Sequence, residues 1–138
     1  MKCRLQMKNI QSTISEFQHE SNMWKRKLAD LLLENAYLKN RLAEKLNEGY
    51  TTRNFLELAE QYLNRFIRKD EIINLIRHDI TVYDKLLTNS RYKNNTLLEK
   101  LEQKNDRMRR ELQMLDTKFN ILKTQFDNFL GDKPWALP

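Results

Sequence analysis

The sequence predicts an all-α protein, an elongated antiparallel bundle or coiled coil of three long helices. Apolar residues recur at alternating spacings of three and four along most of the 138 residues, which is the heptad pattern of packed helices. Only 2 glycines and 2 prolines are present, too few for the turns of a sandwich, a barrel or an α/β fold. Since 40% of the residues are hydrophobic, a core can form, and we expect one helical domain over residues 1–138.

The first helix is predicted over about residues 8–47. Thr13 with Glu16 matches a capping box, and Gly49 supplies a C-terminal stop. The heptad seam consists of Met7, Ile10, Ile14, Phe17, Ser21, Trp24, Leu28, Leu31, Asn35, Leu38, Leu42 and Lys45. Nine of these twelve residues are apolar, so we expect this row to face the other helices.

The second helix is predicted over about residues 54–88, with Asn54 as its N-cap. Its seam consists of Phe55, Ala59, Tyr62, Phe66, Lys69, Ile73, Ile76, Ile80, Tyr83 and Leu87. Further apolar residues lie beside the seam, namely Leu56, Leu58, Leu63, Ile72 and Leu86. An apolar face wider than one seam is typical of a helix packed against two neighbours, and we therefore expect this helix to be the central one.

A break is predicted between the second and third helices, near residues 89–95. The stretch from Thr88 to Thr96 places polar residues where the seam requires apolar ones, and Asn, Ser and Thr disfavour helix interiors. Thr96 with Glu99 is a second capping-box match. Because neither Gly nor Pro enforces a turn here, the alternative is a helical hairpin in which residues 54–130 form one long helix.

The third helix is predicted over about residues 96–130. Its seam begins with a step of four residues from Leu97 to Leu101 and a second step of four to Asn105, which is a stutter in the heptads. It continues through Met108, Leu112, Leu115, Phe119, Leu122, Phe126 and Phe129. Gly131 ends the helix, because the Asp-Lys-Pro that follows cannot continue it.

The apolar tail over residues 132–138 contains Trp135 and Leu137. We interpret it as a flap that folds onto the end of the bundle. The alternatives are a linear docking motif for a partner and a frayed terminus.

The charges of the first helix favour self-pairing. In a parallel dimer its flanking residues form two attractive pairs, Glu20 with Lys25 and Glu34 with Lys39. Asn35 occupies a core position, where a buried amide pairs with its own copy and fixes the register. These five residues predict a homo-oligomer through the first helix. The alternative is that Asn35 is a polar position inside a bundle formed by one chain.

The sequence predicts no catalytic, cofactor-binding or metal site. Glu16 and His19 form the Glu-x-x-His pair of di-iron bundles, but such a site needs two pairs and two further carboxylates. The heptad register places both residues, and also His78, toward solvent. With no inward histidine and no glycine-rich phosphate loop, we expect a protein that is not an enzyme and that needs no cofactor.

The formal net charge of +6 does not by itself favour nucleic acid as a partner. Acidic residues interrupt the basic ones every few positions, which is typical of a solvated helical flank and not of a stripe that follows phosphates. No aliphatic run exceeds three residues, and no aromatic face accompanies the basic start, so we expect no membrane partner either. The single cysteine, Cys3, cannot form an intrachain disulfide, which favours a cytoplasmic location.

The sequence therefore predicts a non-enzymatic structural or interaction protein, a scaffold, adaptor or spacer that acts through helix–helix pairing with protein partners. The first alternative is a helical holdase or assembly chaperone that grips apolar segments at the end of the bundle. The second is a protein that binds nucleic acid weakly and without sequence specificity.

Overall fold

A computed structural model describes the backbone of residues 7–49, 52–89 and 95–131, and the side chains of residues 11–49, 52–88 and 95–131. These residues form three α-helices that pack against one another: α1 (Met7–Asn47), α2 (Arg53–Asn89) and α3 (Asn95–Gly131). No strand occurs within these ranges. The prediction of an all-α bundle of three long helices is confirmed, and each helix bound lies within one residue of its predicted position.

A glycine follows the end of α1, and a threonine caps the start of α2. Gly49 has a φ of 86°, the left-handed conformation with which many helices end. The hydroxyl of Thr52 accepts a hydrogen bond of 3.1 Å from the backbone N–H of Phe55, which is the geometry of an N-cap. The cap of α2 is thus Thr52, and the prediction of Asn54 in that role is wrong by two positions.

The chain forms two compact units, and every helix contributes a segment to each. Unit 1 comprises Met1–Leu28 and Leu75–Gln113, and unit 2 comprises Ala29–Asn74 and Met114–Pro138. We describe them separately below. Within unit 2, α1 contacts both other helices: Asn35 binds Asp70 of α2, and Arg41 binds Asp127 of α3.

Helix directions follow from contacts inside unit 2. The rings of Phe55 and Phe129 stack at 5.1 Å, and those of Phe66 and Phe126 meet edge to face at 4.9 Å. Residue numbers rise along α2 as they fall along α3, so these helices are antiparallel. The alternative of one continuous helix over residues 54–130 is wrong, because its two ends could not then be in contact.

The heptad seams form the core. Among the described side chains, every seam residue of α1 is buried except Lys45, and every seam residue of α2 is buried except Tyr62 and Lys69. On α3, Leu98 is buried while Leu97 is only partly covered. The buried row Leu98, Leu101, Asn105 therefore keeps the regular spacing of three and four, and the predicted stutter is absent from it.

The extra apolar residues of α2 do not make it a central helix. Each helix packs against both others, so a second neighbour is available to all three. Leu58 and Ile72 are partly covered, but Leu56, Leu63 and Leu86 stay exposed. The bundle therefore leaves the wider apolar face of α2 largely in contact with solvent.

Candidate functional site

The predicted interaction residues of unit 1 bind partners within the same chain. Arg109 of α3 donates two hydrogen bonds of 2.9 Å to the two carboxylate oxygens of Glu20. Lys25 forms an ion pair with Asp84 of α2, whose other oxygen accepts the hydroxyl of the buried Ser21. Glu20 and Lys25, predicted from the sequence to pair across a dimer, therefore both have partners within the same chain.

The corresponding residues of unit 2 are engaged in the same way. The buried amide of Asn35 donates to Asp70 at 2.7 Å and to the carbonyl of Phe66 at 2.9 Å. Lys39 forms an ion pair with the second oxygen of Asp70. Glu34 pairs with Lys123 of α3. Asn35 is thus hydrogen-bonded to α2 of its own chain.

Self-pairing through the seam of α1 would require these contacts to be broken. A homo-oligomer through this helix stays a prediction. The other two predicted interaction residues, Trp135 and Leu137, lie outside the described residues. The predicted flap over residues 132–138 lies outside them as well.

A hydrogen-bonded chain of polar groups crosses unit 1. Arg109 donates to the side-chain oxygen of Asn105 at 2.7 Å, and the amide of Asn105 donates to the hydroxyl of Tyr83 at 3.1 Å. Burial raises the pKa of Tyr83 to about 12. The hydrogen bonds from Arg109 hold the pKa of Glu20 below its usual value. This chain satisfies buried polar groups at a point where α1, α2 and α3 meet.

The polar contacts of the two units occupy equivalent positions two heptads apart. Ser21 and Asn35 are separated by 14 residues (35 − 21), as are Glu20 and Glu34 (34 − 20). Their partners shift by the same amount on the other helices, and the shift on α2 runs in the opposite sense because α2 is antiparallel. The paired positions are Lys25 and Lys39, Asp84 and Asp70, and Arg109 and Lys123.

This correspondence was visible in the sequence but not recognised there. The segments ESNMWK (residues 20–25) and ENAYLK (residues 34–39) share Glu, a small polar residue and Lys at the same spacing. Comparing heptads within α1, and not one helix with another, would have revealed it. The partners on α2 and α3 could be identified only from the packing.

A cleft lies between α2 and α3 in unit 1, with a volume of about 340 Å³. We call it the unit 1 cleft; it is lined by His78, Asp79, Val82, Tyr83, Leu86, Lys104, Arg107, Met108 and Glu111. Its charged residues are two acids and two bases, so they balance. Its apolar lining includes Val82 and Leu86, which are 46% and 38% exposed.

A second cleft lies between α2 and α3 in unit 2, with a volume of about 400 Å³. We call it the unit 2 cleft; it is lined by Arg65, Arg68, Lys69, Ile72, Lys118, Ile121 and Leu122. Four of these seven side chains are cationic and none is acidic. The two clefts are built from equivalent helix positions and differ sharply in charge.

The histidines do not lie in a site with the character of a metal centre. His19 and Glu16 are both exposed on α1, as the heptad register predicts, and His78 is exposed beside Asp79. Within the described residues, no group of three or more His, Cys, Asp or Glu side chains is arranged to hold a metal ion. None of the helices in the described ranges has a stretch apolar enough, at sufficient length, to cross a membrane.

Comparison with known proteins adds no assignment. No family model matches the sequence, and no characterised protein or solved structure is significantly similar to it.

Proposed function

We propose that the chain is a non-enzymatic structural or interaction protein that pairs, through the unit 1 cleft, with a second copy of itself. The observation that carries the proposal is the surplus of apolar surface on α2. Of the eleven large apolar side chains that are exposed among the described residues, six belong to this helix. Packing against α1 and α3 leaves this surplus uncovered, and an interaction partner would cover it.

The unit 1 cleft is the part of this surface best suited to a contact with another protein chain. Val82, Leu86 and the buried Met108 supply an apolar lining between α2 and α3. Charged side chains surround that lining. An apolar centre with a polar rim is the usual anatomy of a protein interface.

The balance of charge favours a second copy as the partner. The cleft carries Asp79 and Glu111 together with Lys104 and Arg107. In a twofold contact each patch faces its own copy, so acidic residues of one chain can face basic residues of the other. A cleft of one sign would repel its copy.

The alternatives have less support. A holdase needs a broad apolar surface, whereas this apolar lining is narrow and surrounded by charges. Nonspecific nucleic-acid binding needs a long basic stripe, and acidic residues lie in the unit 1 cleft. The non-enzymatic part of the proposal rests on the exposed positions of both histidines, and the cytoplasmic location rests on the single cysteine alone.

Sedimentation equilibrium over a range of concentrations tests the proposal. We expect the wild type to associate reversibly to a dimer and Val82→Glu to sediment as a monomer, because an uncompensated carboxylate would enter the apolar contact. Leu56→Glu is the matched control, since Leu56 lies on the same helix in unit 2 and is also 46% exposed.

Circular dichroism should show unchanged helix content in both variants. A wild type that stays monomeric at every concentration would refute the proposal. Equal weakening of association by Leu56→Glu and Val82→Glu would also refute it, because the contact would then not be centred on the unit 1 cleft.

A further inference from the structure

The unit 2 cleft concentrates positive charge without compensation. Arg65, Arg68 and Lys69 of α2 and Lys118 of α3 line it, and no carboxylate does. Among the described residues, none of these four cations forms an ion pair. By contrast, other cations of unit 2 do have carboxylate partners: Lys39 pairs with Asp70, Arg41 with Asp127 and Lys123 with Glu34.

Packing of the bundle does not require the three cations of α2, whereas Lys118 has a lysine, Lys104, at its equivalent position. The equivalent positions in the unit 1 cleft lie 14 residues further along α2. The residues there are Asp79, Val82 and Tyr83, at the positions equivalent to Arg65, Arg68 and Lys69 respectively. Two apolar positions are shared, since Leu86 matches Ile72 and Met108 matches Leu122. The same helix pair therefore forms with an apolar, aromatic or acidic residue at each of these three sites.

Lys69 is the most informative of the four. It occupies a seam position of α2, next to the buried Ile73 and Phe66 one helical turn away on either side, and is only partly exposed. Burial lowers the pKa of Lys69, and the neighbouring charges of Lys118, Arg65 and Arg68 lower it further. Burial and the neighbouring positive charges therefore disfavour the protonated form of Lys69, and a bound anion would favour it.

Arg65 makes two contacts at the edge of this cleft. Its guanidinium donates to the side-chain oxygen of Gln125 at 2.7 Å and lies 5.3 Å from the centre of the Tyr62 ring. A guanidinium has five N–H donors in a planar fork, and these contacts leave donors free. Such a fork suits the bidentate recognition of phosphate oxygens.

We propose that the unit 2 cleft binds the phosphate groups of a small phosphorylated ligand, with Arg65, Arg68, Lys69 and Lys118 as the binding residues. Its volume of about 400 Å³ falls within the usual range for small-molecule sites, which is roughly 300–1,000 Å³. Because a nucleic acid needs a long basic track and this cluster is confined to one cleft, a compact ligand with several negative charges fits better. The proposal does not depend on self-association through the unit 1 cleft.

Calorimetric titration with inorganic tripolyphosphate tests the site. We expect saturable binding at one site per chain, weakened about tenfold or more in the double variant Arg68→Gln/Lys118→Gln, which removes two charge-assisted contacts. Arg26→Gln/Arg110→Gln is the control, because it removes the same charge from exposed residues of unit 1 that line neither cleft. We expect it to change the affinity less than about twofold.

Protection of Lys69 provides a second readout that needs no variant. An amine of lowered pKa is acylated more readily, and phosphate over it would block the reaction. We expect saturating tripolyphosphate to slow acetylation of Lys69 by acetic anhydride, measured by peptide mass spectrometry, and to leave Lys100 of unit 1 unaffected. An unchanged rate at Lys69 would overturn the proposal, as would the absence of saturable tripolyphosphate binding.

Two further ligands identify the source of the phosphate. Adenosine triphosphate in place of tripolyphosphate shows whether the apolar lining adds affinity, and binding of either compound supports the site. A labelled single-stranded oligonucleotide tests the nucleic-acid alternative. If the oligonucleotide binds more tightly than tripolyphosphate and both double variants weaken it equally, the cleft is part of a diffuse polyanion surface and the proposal fails. Sedimentation of Arg68→Gln/Lys118→Gln, expected to match the wild type, separates this result from failure of the proposed dimer.

Discussion

The two clefts between α2 and α3 are built at equivalent positions and carry different chemistry. In unit 1, Asp79 and Glu111 balance Lys104 and Arg107, whereas in unit 2 all the charged side chains are cationic. Helix packing decides which positions line a cleft but constrains the rim residues only weakly. Under the two proposals above, the contrast corresponds to a second copy of the chain at the unit 1 cleft and a phosphorylated ligand at the unit 2 cleft.

The cores of the two units differ as well. In unit 2, five aromatic residues form one cluster of rings: Phe55, Tyr62, Phe66, Phe126 and Phe129. In unit 1 the rings of Trp24 and Tyr83 lie 6.1 Å apart, beside the polar chain through Asn105. Both units thus combine apolar packing with hydrogen bonds to a buried polar residue, and unit 2 differs in having the larger cluster of rings.

The largest expected effect comes from the ring cluster. Phe126 is fully buried and contacts the rings of Tyr62, Phe66 and Phe129. We expect Phe126→Ala to lower the free energy of unfolding by about 4 kcal/mol, because it leaves a cavity and removes several ring contacts. Urea denaturation followed by circular dichroism measures this loss.

Phe17→Ala in unit 1 is the matched control. The same atoms are removed, but Phe17 is 9% exposed and has no ring contact among the described residues. We expect it to cost about 3 kcal/mol. Equal losses in the two variants would show that the aromatic cluster adds nothing beyond burial.

A smaller difference is expected between the contacts of the two partly buried aspartates, Asp70 and Asp84. Asp70→Ala should cost about 2–3 kcal/mol, because it removes an acceptor from the buried amide of Asn35 and the partner of Lys39. Asp84→Ala should cost about 1 kcal/mol, because the hydroxyl of Ser21 can rotate to a backbone carbonyl of its own helix. The same denaturation experiment compares them, and a larger loss for Asp84→Ala would contradict the argument.

The smallest effect concerns pH. The folded pKa of Glu20 lies below its usual value of 4.5 because of Arg109. Its contribution is therefore present above about pH 4.5 and is lost as the pH falls through the folded value. We expect Glu20→Gln to remove about 0.5 kcal/mol at neutral pH, since both side chains are partly exposed. The free energy of unfolding of the Glu20→Gln variant should also fall less than that of the wild type between neutral and acidic pH.

Glu34→Gln in unit 2 is the comparison for that experiment. Lys123 contacts a single oxygen of Glu34, whereas Arg109 contacts both oxygens of Glu20. A bidentate pair is the stronger one, so we expect Glu34→Gln to lower the melting temperature at neutral pH less than Glu20→Gln does. The opposite order in thermal melts would show that the bidentate geometry has no energetic weight.

The helices and their core faces could be predicted well from the sequence. The spacing of apolar residues placed Trp24, Ile76 and Leu115 in the core, and all three are buried. A shift of one residue was enough to mislead at the start of α3, where Leu98 and not Leu97 is buried, because two adjacent leucines leave the register open. The N-cap of α2 was misplaced because several residues near Thr52 can act as caps.

The partners of the charged residues could not be predicted in the same way. Glu20 and Lys25 have the spacing of an attractive pair in a parallel dimer, yet each binds a residue on another helix of its own chain. Charge patterns in a heptad are compatible with many partner helices, and only the packing selects one. The two clefts were also not recognised, because their residues come from α2 and α3 and are adjacent only once those helices are antiparallel.

The sequence by itself determined that the chain forms three helices and which side of each is buried, because the apolar period is a local property that any helical neighbour satisfies. Only the tertiary structure decided which polar side chains meet, since residues such as Asp84 and Arg109 are brought to Ser21 and Glu20 by the arrangement of three helices. The same holds for the cationic cleft. Four basic residues scattered along two helices become one site only when those helices lie side by side.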